Sequence, residues 1–155
     1  MNAIQTLQAL VRLVLFWCLA GMAQADTTLQ VNDPWIREAP PTATVHAAYM
    51  TLVNTGAGAV LIDSVSSPDF EGAEIHRSWV EEGVAHMQPV LQLEVPATAT
   101  LALEPGSYHL MLFDARRALQ EGDSATLLLH LADGTCIRVT APVRRSTGSE
   151  HHHHH

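Results

Sequence analysis

Ser107-Tyr108-His109-Leu110-Met111-Leu112-Phe113 alternates with a period of two, and that period decides how the rest of the chain is read. Successive side chains of a β-strand point to opposite sides of the sheet. Tyr108, Leu110 and Leu112 therefore share one side, which has the composition of a core, and His109, Met111 and Phe113 share the other. His109 and Met111 leave the core together, about 6.6 Å apart along the strand, a span that one metal ion can bridge.

Working outward, turn residues punctuate the chain at short intervals, and the segments between them are rich in Val, Ile, Leu, Thr and aromatics. This pattern predicts strands over Thr28–Val31, Ala47–Val53, Val60–Ser64, Ala73–Trp79, Val84–Val90, Thr98–Leu103, Ser107–Phe113, Ala125–Leu131 and Thr135–Ala141. Asn54-Thr55-Gly56, Glu82-Gly83, Pro105-Gly106 and Asp133-Gly134 supply turns, and Asp114–Gln120 is the one place for a short helical turn. Seven to nine short strands in about 120 residues suit a single all-β domain, a two-sheet sandwich with Greek-key connections. No internal repeat or linker divides it.

Composition narrows the function. The 155 residues include 16 acidic and 8 basic side chains, a formal charge of −8, with every basic residue an Arg. That balance excludes phosphate-backbone binding as the main activity, so nucleic acid is not an expected partner. Charged residues make up only 15% of the chain against about 25% in an average protein, but 47% are hydrophobic, enough to build a core.

Both ends read as additions to the domain. Arg12, the apolar stretch Leu13–Ala20 and then Ala23-Gln24-Ala25 form a cleavable export signal over residues 1–25. The uncharged stretch Leu13–Ala25 is 13 residues long, short of the roughly 20 that a spanning helix needs, so no stable membrane insertion is expected after cleavage. Residues 26–145 form the domain, and residues 146–155 are a small polar run followed by the five histidines of a purification tag. Export implies an oxidising compartment, the periplasm. Without the signal only Cys136 remains, so no internal disulfide is possible, and a lone cysteine there is expected as a buried small hydrophobe. The histidines left are His46, His76, His86, His109 and His130, and the methionines Met50, Met87 and Met111.

The segment Ala73–Val90 reads as a hairpin. With a four-residue loop, Val80-Glu81-Glu82-Gly83, His76 lies opposite Met87 on one face, and Arg77 lies opposite His86 on the reverse. His76 and Met87 are then placed to bind one ion, and His86 is not. Met50 and His46 share a face with Ala48 and Leu52 and are expected in the core or at its rim. His130 is expected to be structural, and Trp35 and Trp79 to be packing residues.

Thioether sulfur is a soft, neutral donor that binds Cu(I) well and hard cations or Zn(II) poorly, while imidazole accepts either. Two Met and two His therefore select monovalent copper, and a site without thiolate resists oxidation outside the cytoplasm. The spacing His76, ten residues, Met87, twenty-one residues, His109, one residue, Met111 resembles the H-x10-M-x21-H-x-M signature of the periplasmic copper chaperones called PCuAC. Trp35-Ile36-Arg37, Ala47-Ala48-Tyr49-Met50-Thr51-Leu52, Asn54-Thr55-Gly56 and Gly106-Ser107-Tyr108-His109-Leu110-Met111-Leu112 are also similar to that family. The resemblance implies a cupredoxin-like β-sandwich that holds Cu(I) through His76, Met87, His109 and Met111. It also implies delivery toward the binuclear copper site of cytochrome c oxidase, often alongside a Sco-type protein; the carrier itself is expected to be a monomer. The Met- and His-rich extension of some members is not seen after Arg144-Arg145-Ser146, so a second copper site is not expected.

Two other classes compete. An electron-transfer cupredoxin needs a Cys thiolate followed by further ligands, and no His or Met follows Cys136 before the tag. An exported zinc-binding or adhesion module would use His76 and His109 with Glu74 or Asp114.

Overall fold

The computed structural model describes residues 28–145. The expected export signal and tail lie outside the described residues. Ten strands follow one another: β1 (Leu29–Arg37), β2 (Val45–Asn54), β3 (Val60–Ser66), β4 (Phe70–Glu81), β5 (Val84–Pro89), β6 (Leu93–Val95), β7 (Thr100–Leu103), β8 (Tyr108–Ala115), β9 (Ser124–Leu131) and β10 (Cys136–Arg144). One layer runs β5-β4-β8-β2-β1, with β7 continuing the line of β8 along β2. The other runs β10-β9-β3-β6, and a short parallel pairing, Ile36 with Val143 and Arg37 with Arg144, joins the two. Connections such as β2 to β3, β3 to β4 and β8 to β9 pass from one layer to the other, the Greek-key arrangement expected of this all-β chain.

Alternation builds the core. Ile75, Leu110, Leu112, Ala48, Met50 and Leu52 point inward from the first layer, and Ile62, Leu127, Leu129, Val139 and Ala141 meet them from the second, in one continuous apolar cluster. Met50 and His46 are buried with them, as expected. His130 is held by Ser66, Nε2 to Oγ 2.7 Å, which fits a structural role.

Four expectations need correction. Cys136 is exposed, because Val139, Ala141 and Val143 claim the inward parity of β10 and leave Cys136 with Arg138 and Thr140 outside. Asp114–Gln120 forms no helical turn: β8 continues to Ala115, with Asp114 N–H donating to the Thr44 carbonyl at 2.7 Å and Arg116 N–H to the Asp69 carbonyl at 2.9 Å. The first strand runs six residues past Val31 to Arg37, crossing a bulge at Asp33-Pro34 where the missing proline N–H leaves no ladder bond unmade. β6 is a strand the turn pattern hid: three residues ending at Pro96, with Leu93 and Val95 buried against β3. Trp35 packs at a tilt against Tyr49, 4.7 Å between centroids, and Trp79 stacks on His86 at 5.2 Å. Both therefore pack against neighbours, at the rim of the sandwich and not in its core.

Asn54 closes one end of the sandwich and is fully buried. Its amide group donates toward the carbonyls of Gly58, Val95 and Pro96 at 2.8–3.1 Å, while its Oδ1 accepts from Thr28 Oγ1 and the Gly56 N–H. Gly56 is required beside it, since a Cβ there would sit 2.6 Å from Thr28 Oγ1. Removing one partner of a buried polar network leaves the others desolvated and unpaired. Asn54→Ala should lower the unfolding free energy by roughly 2–4 kcal/mol, seen as a lower urea midpoint at unchanged m-value.

Burial holds the His46 imidazole below its ordinary range, with the Arg37 backbone pulling the other way. At neutral pH the ring is uncharged folded or unfolded. Below the ordinary value of about 6.5 the unfolded chain takes up the proton first, so stability falls with pH in that window. His46→Leu should flatten this part of the stability profile. Denaturant titrations at stepped pH check it, and an unchanged slope would show that folding does not bury a neutral ring.

Candidate metal centre

β8 is hydrogen-bonded to β4 on one side and to β2 on the other, so its outward residues sit in the middle of an exposed sheet face. Across β4, His109 pairs with His76 and Met111 with Glu74, and the two imidazole rings lie 6.1 Å apart between centroids. Three of the four expected ligands are thus fixed by neighbouring rungs of one ladder. All of them carry the parity opposite to Ile75, Leu110 and Leu112, so they face away from the core.

The fourth ligand required a corrected register. Glu81 pairs with Val84, which makes the β4–β5 loop two residues long, Glu82-Gly83, with φ of 51° and 79°. Both values are left-handed, as the tight hairpin turn demands. Met87 therefore lies opposite Ser78, and His76 lies opposite Pro89. Because the register moves by two residues, every side chain keeps its face. Met87 stays on the side of His76 but one step nearer the tip, and His86 stays on the reverse, stacked on Trp79.

The site is graded in exposure. His109 is 8% exposed and the His76 side chain 12%, Met111 is partly buried, and Met87 is 54% exposed. Met87, His109 and Met111 line an open depression of about 330 Å³ together with Arg37, Tyr49 and Gly106, and His76 stands beside it next to His109. Tyr49 lies 6.4 Å from the His109 ring and under the Arg37 guanidinium at 5.6 Å. Burial raises the Tyr49 phenol above its ordinary range, against the pull of Arg37, so it stays a neutral wall. Tyr49 and Arg37 are not legible from sequence as site residues, since their approach depends on the antiparallel pairing of β1 with β2.

Hydrogen bonds set the ring nitrogens. His109 Nδ1–H donates to the Ser107 carbonyl at 3.1 Å, and the same oxygen accepts the Ser78 N–H at 3.0 Å, tying the ring to the β4–β8 junction. Nε2 of His109 keeps its lone pair. His76 Nε2–H donates to Glu74 Oε2 at 2.8 Å, and its Nδ1 is buried with no partner. Two imidazole nitrogens and two thioethers thus share one region, a neutral set suited to a soft monovalent ion. Among the described residues no three His, Cys, Asp or Glu are grouped as a metal site.

Comparisons agree with this architecture. The family model described as "Putative lipoprotein LpqE-like" matches residues 29–143. A Leifsonia xyli subsp. xyli protein of similar description, Lxx21020, is 30% identical over 127 residues, covering 81% of this chain and 75% of that protein. The solution structure of CuI-DR1885 from Deinococcus radiodurans is 28% identical, covers 83% of this chain and 87% of that one, and superposes with a TM-score of 0.63. The copper-bound PCuAC domain from PmoF2 superposes with a TM-score of 0.65, covering 76% of this chain and 93% of that one. At 20% identity that likeness speaks to the fold alone, the cupredoxin-like Greek-key sandwich expected from sequence. With the family model spanning β1 to β10, this chain belongs to the LpqE-like family.

Proposed function

We propose that this protein is an exported, periplasmic Cu(I) metallochaperone, a monomeric binding protein without catalysis that delivers copper toward the binuclear site of cytochrome c oxidase. The observation that carries the reading is the gathering of two thioethers and two imidazoles on the solvent side of one sheet, on β4, β5 and β8. His76, Met87, His109 and Met111 are the ligands. The likeness to a protein solved in its CuI form supports the choice of metal, and the description of relatives as lipoproteins supports export. The resemblance of the four-residue spacing to PCuAC supports the recipient, a copper-accepting oxidase domain, with a Sco-type protein as companion.

A neutral ligand set gives up its ion without needing protons. Release then depends on the recipient's ligands reaching copper while the chaperone's still hold it, and the exposed Met87 supports that order of exchange. Residues 26–150 carry 16 acidic and 7 basic side chains, a charge of −9 that favours a recipient with a basic rim.

Anaerobic Cu(I) titration of tag-free protein against a competing chelator is the direct test. Met87→Leu and Met111→Leu roughly conserve volume, so each should cost less than about 1.5 kcal/mol of stability. Each should nonetheless weaken Cu(I) binding at least about tenfold, because only the soft donor is removed. A double Leu variant that binds Cu(I) at full strength would show that the site is wrongly assigned. Stopped-flow transfer to a recipient domain should slow as ionic strength rises, and a rate independent of salt would remove charge from the docking step.

A further inference from the structure

Glu74 has no need to touch His76. Its side chain is 56% exposed and lies two residues away on the same face of β4, opposite Met111 on β8, yet its Oε2 sits 2.8 Å from His76 Nε2. A carboxylate can only accept in such a contact, so the ring proton is on Nε2. The lone pair of the neutral ring then lies on Nδ1, the buried nitrogen with no protein partner. At His109 the logic is reversed, because the Ser107 carbonyl takes the Nδ1–H and leaves Nε2 free. Two register partners on adjacent strands thus present different nitrogens, each selected by its own hydrogen-bond acceptor.

We infer that Glu74 is a positioning residue for copper, which fixes the His76 tautomer so that His76 meets the ion through Nδ1 while His109 meets it through Nε2. The inference rests on the copper-binding reading and names how that site is held. An exposed pair of this kind adds little to folding, whereas an outer-sphere partner of a ligating histidine commonly changes metal affinity by about 10–100-fold when removed. The two effects can therefore be separated.

The test compares Glu74→Ala, Glu74→Gln and Met111→Leu in tag-cleaved protein, by anaerobic Cu(I) competition at one constant pH and by nitrogen-15 NMR of the histidine rings with and without Cu(I). Glu74→Ala should bind Cu(I) about tenfold more weakly at nearly wild-type unfolding midpoint. Glu74→Gln removes the same charge but keeps an oxygen acceptor, so it should restore wild-type affinity; loss in both variants alike would mean that Glu74 acts only through its charge. In the apo protein the His76 Nε2 should carry the proton, and Cu(I) should shift Nδ1. A copper-induced shift on His76 Nε2, or a Glu74→Ala variant that binds as tightly as wild type or more tightly, overturns the proposal, the last because it would make Glu74 a competitor of copper. Met111→Leu reports on the site itself. If it loses Cu(I) while Glu74→Ala does not, only the role of Glu74 falls; if it also binds at full strength, the four-residue site falls with it.

Discussion

Period-two alternation in β8, a strand hydrogen-bonded on both sides, is the constraint on which the rest of the structure depends. Leu110 and Leu112 are almost completely buried in the core, so His109 and Met111 have no alternative to the outer face. A slip of one residue would drive a histidine and a methionine into the core and expose two leucines, a cost of about 1.5–3 kcal/mol for each apolar side chain moved to water. The core therefore holds the site in place without supplying any atom to it. The ladder to β4 extends this control to His76, whose strand is pinned inward by Ile75.

The hairpin β4–β5 is held by a different kind of force. Val80, Val84 and Met87 are exposed along it, and no residue of β5 is buried. Its geometry is set by the left-handed turn Glu82-Gly83 and by stacking on its reverse side, where the Arg77 guanidinium lies over both Tyr108 and Trp79, and Trp79 stacks on His86. These contacts let a ligand-bearing strand stand at the sheet edge without a buried core of its own. The result is a site whose histidines are anchored in the sheet and whose Met87 is open to a visitor.

A carrier has to bind strongly and still let go. Thioethers and neutral imidazoles suit Cu(I) without adding charge to the ligand set, and the acidic groups stand around that set, in Glu74, which touches His76, and in Glu81 and Glu82 on the hairpin. The near contacts of the histidines are backbone carbonyl and carboxylate, both pure acceptors, so each ring is held in one orientation by the fold itself. Arg37 and Tyr49 also line the depression, with the Arg37 guanidinium lying over the neutral Tyr49 ring.

Sequence alone determined the fold class and the inward and outward sides of β8, and it supplied the four residues proposed as ligands, because alternation and residue type are local properties written in the chain. It also placed Met87 on the correct face, since a two-residue error in register leaves faces unchanged. What it left open depends on partners distant along the chain. The exact hairpin register follows from the turn conformation at Glu82-Gly83, and the reach of β1 through Trp35 to Arg37 follows from its pairing with both β2 and β10. Cys136 faces outward despite its residue type, because the parity of Val139 and Ala141 in the same strand outweighs the usual preference of a lone cysteine for burial. The choice of nitrogen at His76 and His109 was decided by tertiary structure alone, because a ring proton goes to whichever acceptor the folded backbone and side chains bring within hydrogen-bond distance.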